Sequence, residues 1–119
     1  MTKTQTASKR ITEEVISWPG VRAGPGRRGE FAFTVGRRQI GHLHGDYAAH
    51  FSFPKQLWAE LFAQGRIGYH PVFPGKPGMA ARRINDDADI QDVIELLRLN
   101  YNRVVERHGL PADAGEAAA

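Results

Sequence analysis

Between Glu30 and Val35 the chain alternates: Phe31, Phe33 and Val35 are large and apolar, while Glu30, Ala32 and Thr34 between them are small or polar. A period of two marks a strand with one buried face. Gly36-Arg37-Arg38 reads as a hairpin turn, Gln39 to His44 as a second strand and Gly45-Asp46 as another turn. Tyr47 to Phe53 continues as a third strand, with Tyr47, Ala49, Phe51 and Phe53 on one face. At Pro54, a residue suited to a first helical turn, the period changes. Leu57, Trp58, Leu61 and Phe62 follow at helical spacing, and Gly65 ends that helix. Ile67 to Phe73 reads as a fourth strand, at an edge or bulge because of Pro71, and Met79 to Ile84 as a fifth. The strongest pattern comes last. Ile90, Val93, Ile94, Leu97, Tyr101 and Val104 form one face of a helix from Asp86-Asp87 to about His108, with acids in its first turn and bases in its last. A shorter helix over 9–17, capped by Ser8, precedes a glycine- and arginine-rich loop at 20–29 with a short strand at 21–23.

The order α-β-β-β-α-β-β-α predicts an α+β fold: a mostly antiparallel five-stranded sheet with its helices packed on one face. The other face is then open to solvent. With 119 residues the chain holds one domain, read here as 9–109, between disordered segments at 1–8 and 110–119. There is no cysteine, which excludes disulfides, thiolate catalysis and cysteine-ligated metal. No apolar run approaches the ~20 residues of a membrane helix. The first eight residues lack the apolar core of an export signal, so the expectation is a soluble cytoplasmic protein, monomer or homodimer, with no membrane partner.

Charge changes the picture only locally. Residues 1–85 hold 13 Lys/Arg against 5 Asp/Glu, and residues 86–119 hold 3 against 8. Arginine pairs stand at 27–28, 37–38 and 82–83. They offer an anion-binding loop at Arg27 and Arg28, or, used together, a nucleic-acid or acidic-partner surface engaged at low salt. Gly24-Pro-Gly26-Arg-Arg-Gly29 has the letters of a dinucleotide fingerprint but not its strand-before, helix-after setting.

The histidines carry more. His42 and His44, two apart on a strand, share one face, and His50 and Glu30 point away from the buried face of their own strands. His70 joins them if the fourth strand keeps its register. The side taken by His42 and His44 is ambiguous, because Ile40 and Leu43 make opposite demands. On the open face these residues, His42, His44, His70, Glu30 and His50, would line a small-ligand pocket. No cofactor is predicted beyond a transition metal on His42, His44 and His70, with Glu30 or Asp46 supporting the rings. His42 and His44 follow Gly36 as in a cupin metal motif, but the glutamate that motif needs is replaced by Ala48 and Ala49. The serines, Ser8, Ser17 and Ser52, stand in no nucleophile motif.

Gly41-His-Leu-His-Gly45, Phe51-Ser-Phe-Pro54 and Glu95-Leu-Leu-Arg-Leu-Asn-Tyr101 together resemble the luciferase-domain family of small α+β proteins, uncharacterised and largely bacterial. The resemblance spans roughly residues 18–105. It implies the same fold and no light-emitting activity. The chain departs from the family pattern twice: His50 stands at an aspartate position and Met79 at a tryptophan position. Three functions remain: ligand binding through the histidines, nucleic-acid or acidic-partner binding through the arginines, and a scaffold domain without ligand.

Overall fold

The computed structural model describes residues 5–26 and 28–112. Its elements run α1 (Ala7–Val15), β1 (Val21–Pro25), β2 (Phe31–Val35), β3 (Arg38–His44), β4 (Ala48–Ser52), α2 (Lys55–Ala63), β5 (Gly68–Tyr69), β6 (Met79–Arg83) and α3 (Asp87–His108). The six strands form one antiparallel sheet in the order β1-β2-β3-β4-β6-β5.

The α+β class and the single antiparallel sheet are as the pattern predicts, but the sheet has six strands, not five. The sixth is β1, read from the sequence as a short strand at 21–23 and not counted in the sheet; it runs to Pro25 and pairs with β2 from Val21↔Val35 to Pro25↔Phe31. It is an edge strand whose side chains are half-buried or exposed, so backbone pairing holds it and no hydrophobic alternation betrays it. The strand expected over 67–73 shrinks to Gly68–Tyr69, and His70 to Phe73 form a turn closed by Phe73 N–H on the His70 carbonyl. Pro71, with no N–H to give a ladder, suits that turn. Helix α1 starts at Ala7, and its cap is Thr6, whose side chain accepts from Lys9 N–H; Ser8 N–H instead donates to Asp46 Oδ1 at 2.8 Å. Of the segments expected to be disordered, 1–4 and 113–119 lie outside the described residues, while Ala7 and Ser8 belong to α1. No helix among the described residues is long and apolar enough to cross a membrane.

All three helices cover one sheet face. Phe33, Ile40, Leu43, Leu96, Leu97, Ile11 and Val93 are almost wholly inaccessible in a single core. Each large apolar side chain so buried contributes about 1.5–3 kcal/mol. Helix α3 is fastened by a capping box at Asp86 and Asp89. Arg82 from β6 reaches Asp89 and Asp92, and Arg66 also pairs with Asp92.

One irregularity sets up everything on the other face. Phe33 pairs with Gly41 but Thr34 pairs with Gln39, so Ile40 is an extra residue, a β-bulge in β3. Ile40 is fully buried, and a side chain on Gly41 would run into Leu97 and Phe51, so both residues face the helices. The bulge resolves the conflict between Ile40 and Leu43. Both go inward, and Gln39, His42 and His44 go outward. The carbonyl of Ile40 is taken by Asn100 of α3, whose Nδ2 donates to it at 3.1 Å and to the Ser52 carbonyl at 3.0 Å.

Candidate functional site

On the open face His42 of β3 lies directly opposite His50 of β4, and the same row continues through Ala81 and Gly68. Ring centroids are 5.2 Å apart for His42 and His50, 4.9 Å for His42 and His44, and 4.1 Å for His44 and His50. One ring nitrogen from each of the three lies within 4.8 Å of the others. His70, from the turn after β5, places its ring 4.1 Å from that of His50.

Burial in the cluster favours the uncharged form of His42, His50 and His70. Burial, then the neighbouring His70, His44 and His42, push His50 down to about 4. Burial and then His44 lower His42; burial, His44 and Arg28 lower His70. Hydrogen bonds then dictate where the protons sit. His42 Nδ1 lies 2.7 Å from Gln39 Oε1, an oxygen that can only accept, so Nδ1 carries the proton and the Nε2 lone pair is free. His70 is the reverse. Its Nδ1 accepts from Val72 N–H at 3.1 Å, which leaves the proton on Nε2. His50 is 8% exposed, and its Nδ1 is the one buried side-chain polar atom without a hydrogen-bond partner among the described residues.

These rings floor an open hollow of about 680 Å³, whose walls include Arg28, Glu30, Phe31, Tyr47, Val72, Phe73 and Met79. The fold thus brings together all five residues singled out in the sequence, His42, His44, His50, His70 and Glu30. The group of three that could hold a metal is His42, His44 and His50, whereas the expected group is His42, His44 and His70. The nitrogens that converge are those of His42, His44 and His50, and the neutral His70 ring has no free lone pair once Val72 N–H is bound. Support for the rings also differs. Gln39 holds His42, Asp46 is engaged by Ser8, and Glu30 Oε1 takes Arg28 N–H at 2.9 Å, which with its own backbone keeps that carboxyl below its usual range. Gln39 escaped the sequence reading because it reaches His42 only across the bulge. The apolar rim escaped it because Tyr47 and Val72 lie in turns, not strands.

The arginine pairs do not gather. Arg28 lies on the hollow, and Arg27 lies outside the described residues. Arg37 and Arg38 meet Arg103, Arg107 and His108 around a separate depression, and Arg82 is spent in ion pairs with α3. The Gly24–Gly29 segment joins two antiparallel strands, with no helix after it to meet a pyrophosphate.

A six-stranded antiparallel sheet, helices on one face and a histidine-floored hollow on the other define a small α+β domain. The chain matches the Luciferase domain family over residues 37–100, which is 64 of its 119 residues, and belongs to that family. No curated protein and no solved structure matches it. The matched segment contains His42, His44, His50 and His70, while Arg28, Glu30 and Phe31 precede it. His50 and Met79, the two positions read from the sequence as departures from the family pattern, both line the hollow.

Proposed function

We propose that this domain binds a small ligand in the open-face hollow, and that a divalent transition metal on His42, His44 and His50 anchors it. The observation that carries the reading is His50: a buried imidazole nitrogen with no partner, inside a group of rings whose nitrogens approach within 4.8 Å. An unsatisfied buried polar atom costs about 1–3 kcal/mol, and a metal bond removes that cost. Neutral imidazoles in a set of three suit zinc, nickel, cobalt or copper over magnesium or calcium. Gln39 orients His42 as a supporting acceptor does in metal sites.

The test is a thermal-melt titration of chelator-treated protein with zinc, nickel and cobalt. At a hundredfold excess over the dissociation constant, binding adds about 2.7 kcal/mol, a rise of roughly 10 °C for a domain of this size. His42→Ala, His44→Ala and His50→Ala each abolish the rise, and His42→Ala and His44→Ala melt within a few degrees of the parent without metal. His70→Ala keeps the rise. No shift with any of the three metals removes the metal from the reading.

A second reading rests on the corner where Arg37, Arg38, Arg103, Arg107 and His108 meet. Buried Asn100 fixes Arg103 there through its Oδ1 at 3.0 Å. This corner suits an acidic partner or a nucleic-acid backbone. Affinity for generic duplex DNA that falls steeply with salt supports it, and no binding at low ionic strength ends it.

A further inference from the structure

We propose that the ligand of the hollow is a small carboxylate with an apolar or aromatic body, its carboxylate bridging the metal and His70; this rests on the metal reading above. Three features of the walls point there. The first is His70. With Nδ1 occupied by Val72 N–H, its Nε2 carries the proton, on a ring 4.1 Å from that of His50, and is a donor and no competitor for the metal. A carboxylate offers one oxygen to the metal and a second to accept from such a donor.

The second is charge. A bound divalent ion brings two positive charges and Arg28 a third. The one acid on the walls, Glu30, has its carboxylate turned against Gly26 and bonded to Arg28 N–H. The sum is +2, which calls for an anion. The third is the rim. Tyr47, Val72 and Phe73 present large apolar surface at one opening, with Tyr47 76% and Val72 63% exposed. Such a cluster around a polar floor marks a binding groove, not random surface. Lys76 stands over the Phe73 ring, 5.4 Å from its centre, adding positive charge beside that apolar wall. An inorganic anion satisfies the floor and leaves the rim unused; a neutral apolar molecule does the opposite.

The experiment uses cobalt-loaded protein, whose visible absorption reports changes at the metal. Benzoate is the probe, with acetate and benzyl alcohol as comparators. Benzoate is expected to change the cobalt spectrum saturably, at least tenfold more tightly than acetate, with no response to benzyl alcohol. His70→Ala weakens benzoate tenfold or more while cobalt affinity stays the same, and Val72→Ser narrows the gap between benzoate and acetate. A cobalt spectrum indifferent to benzoate overturns the ligand assignment and leaves the metal site standing. Equal affinity for acetate overturns the apolar body, and an equal response to benzyl alcohol overturns the need for charge. Failure of cobalt to bind overturns the metal reading and this inference with it.

Discussion

Replacing Asn100 with alanine tests whether α3 pins the bulge that aims the histidines. Asn100 is 3% exposed, and its amide group donates to two main-chain carbonyls, those of Ile40 and Ser52. Alanine removes the donor that Asn100 gives to both acceptors. A buried acceptor stranded in this way costs about 1–3 kcal/mol, and a carbonyl recovers part of that by relaxing, so the pair should cost about 2–4 kcal/mol. At roughly 4 °C per kcal/mol, the melting temperature falls by about 8–16 °C. Urea unfolding followed through the two buried tryptophans, Trp18 and Trp58, measures the same loss at equilibrium. Stability alone does not separate the bulge from ordinary core packing. Zinc affinity does, since the bulge sets the direction of His42: Asn100→Ala should weaken zinc about tenfold, whereas Val93→Ala, in the same helix, should leave it unchanged. Asn100→Asp keeps the shape and turns an acceptor toward two acceptors, so it should cost at least as much at neutral pH. A loss below 1 kcal/mol, or unchanged zinc affinity in Asn100→Ala, would falsify the reasoning.

Two further predictions concern the same face. Gly41→Ala puts a methyl group 2.5 Å from Leu97 Cδ2 and 3.1 Å from the Phe51 ring, both in the closed core, so it should cost about 1–3 kcal/mol. Combined with Leu97→Ala the two losses should be clearly less than additive in urea unfolding; full additivity argues against the clash. The metal-free protein should also lose stability in mild acid. His50 titrates at about 4 in the folded chain against about 6.5 unfolded. As pH falls below 6.5 the unfolded chain takes a proton that the folded one refuses, so stability declines down to about pH 4 and then levels, by up to ~3 kcal/mol. His42 and His70, lowered in the same direction, add to the slope. His50→Leu should flatten the profile, and an unchanged slope in that variant counts against the burial of a neutral ring.

Local pattern was enough for most elements. The alternation at Phe31, Phe33 and Val35 and the helical face from Ile90 to Val104 are statements about which residues leave water, and one face of one element decides them. The luciferase-domain resemblance and the candidate set of histidines were likewise readable, because a period of two places His42 with His44 regardless of what packs behind. What pattern could not supply was phase and partnership. Strand β1 reads from sequence only as a short strand at 21–23, and its place as the sixth strand comes from backbone pairing with β2 that its half-buried and exposed side chains do not signal. The face of His42 depends on the extra residue at Ile40, and that bulge stands because Gly41 admits Leu97 and Asn100 meets the freed carbonyl, contacts between residues sixty positions apart. The roles of the rings were decided last of all. His50 and His70 look alike as letters, but one is buried with an unpartnered nitrogen and the other is committed to Val72 N–H. Lone pairs and protons are distributed by neighbours in space, so only the folded chain could separate a candidate ligand from a candidate donor.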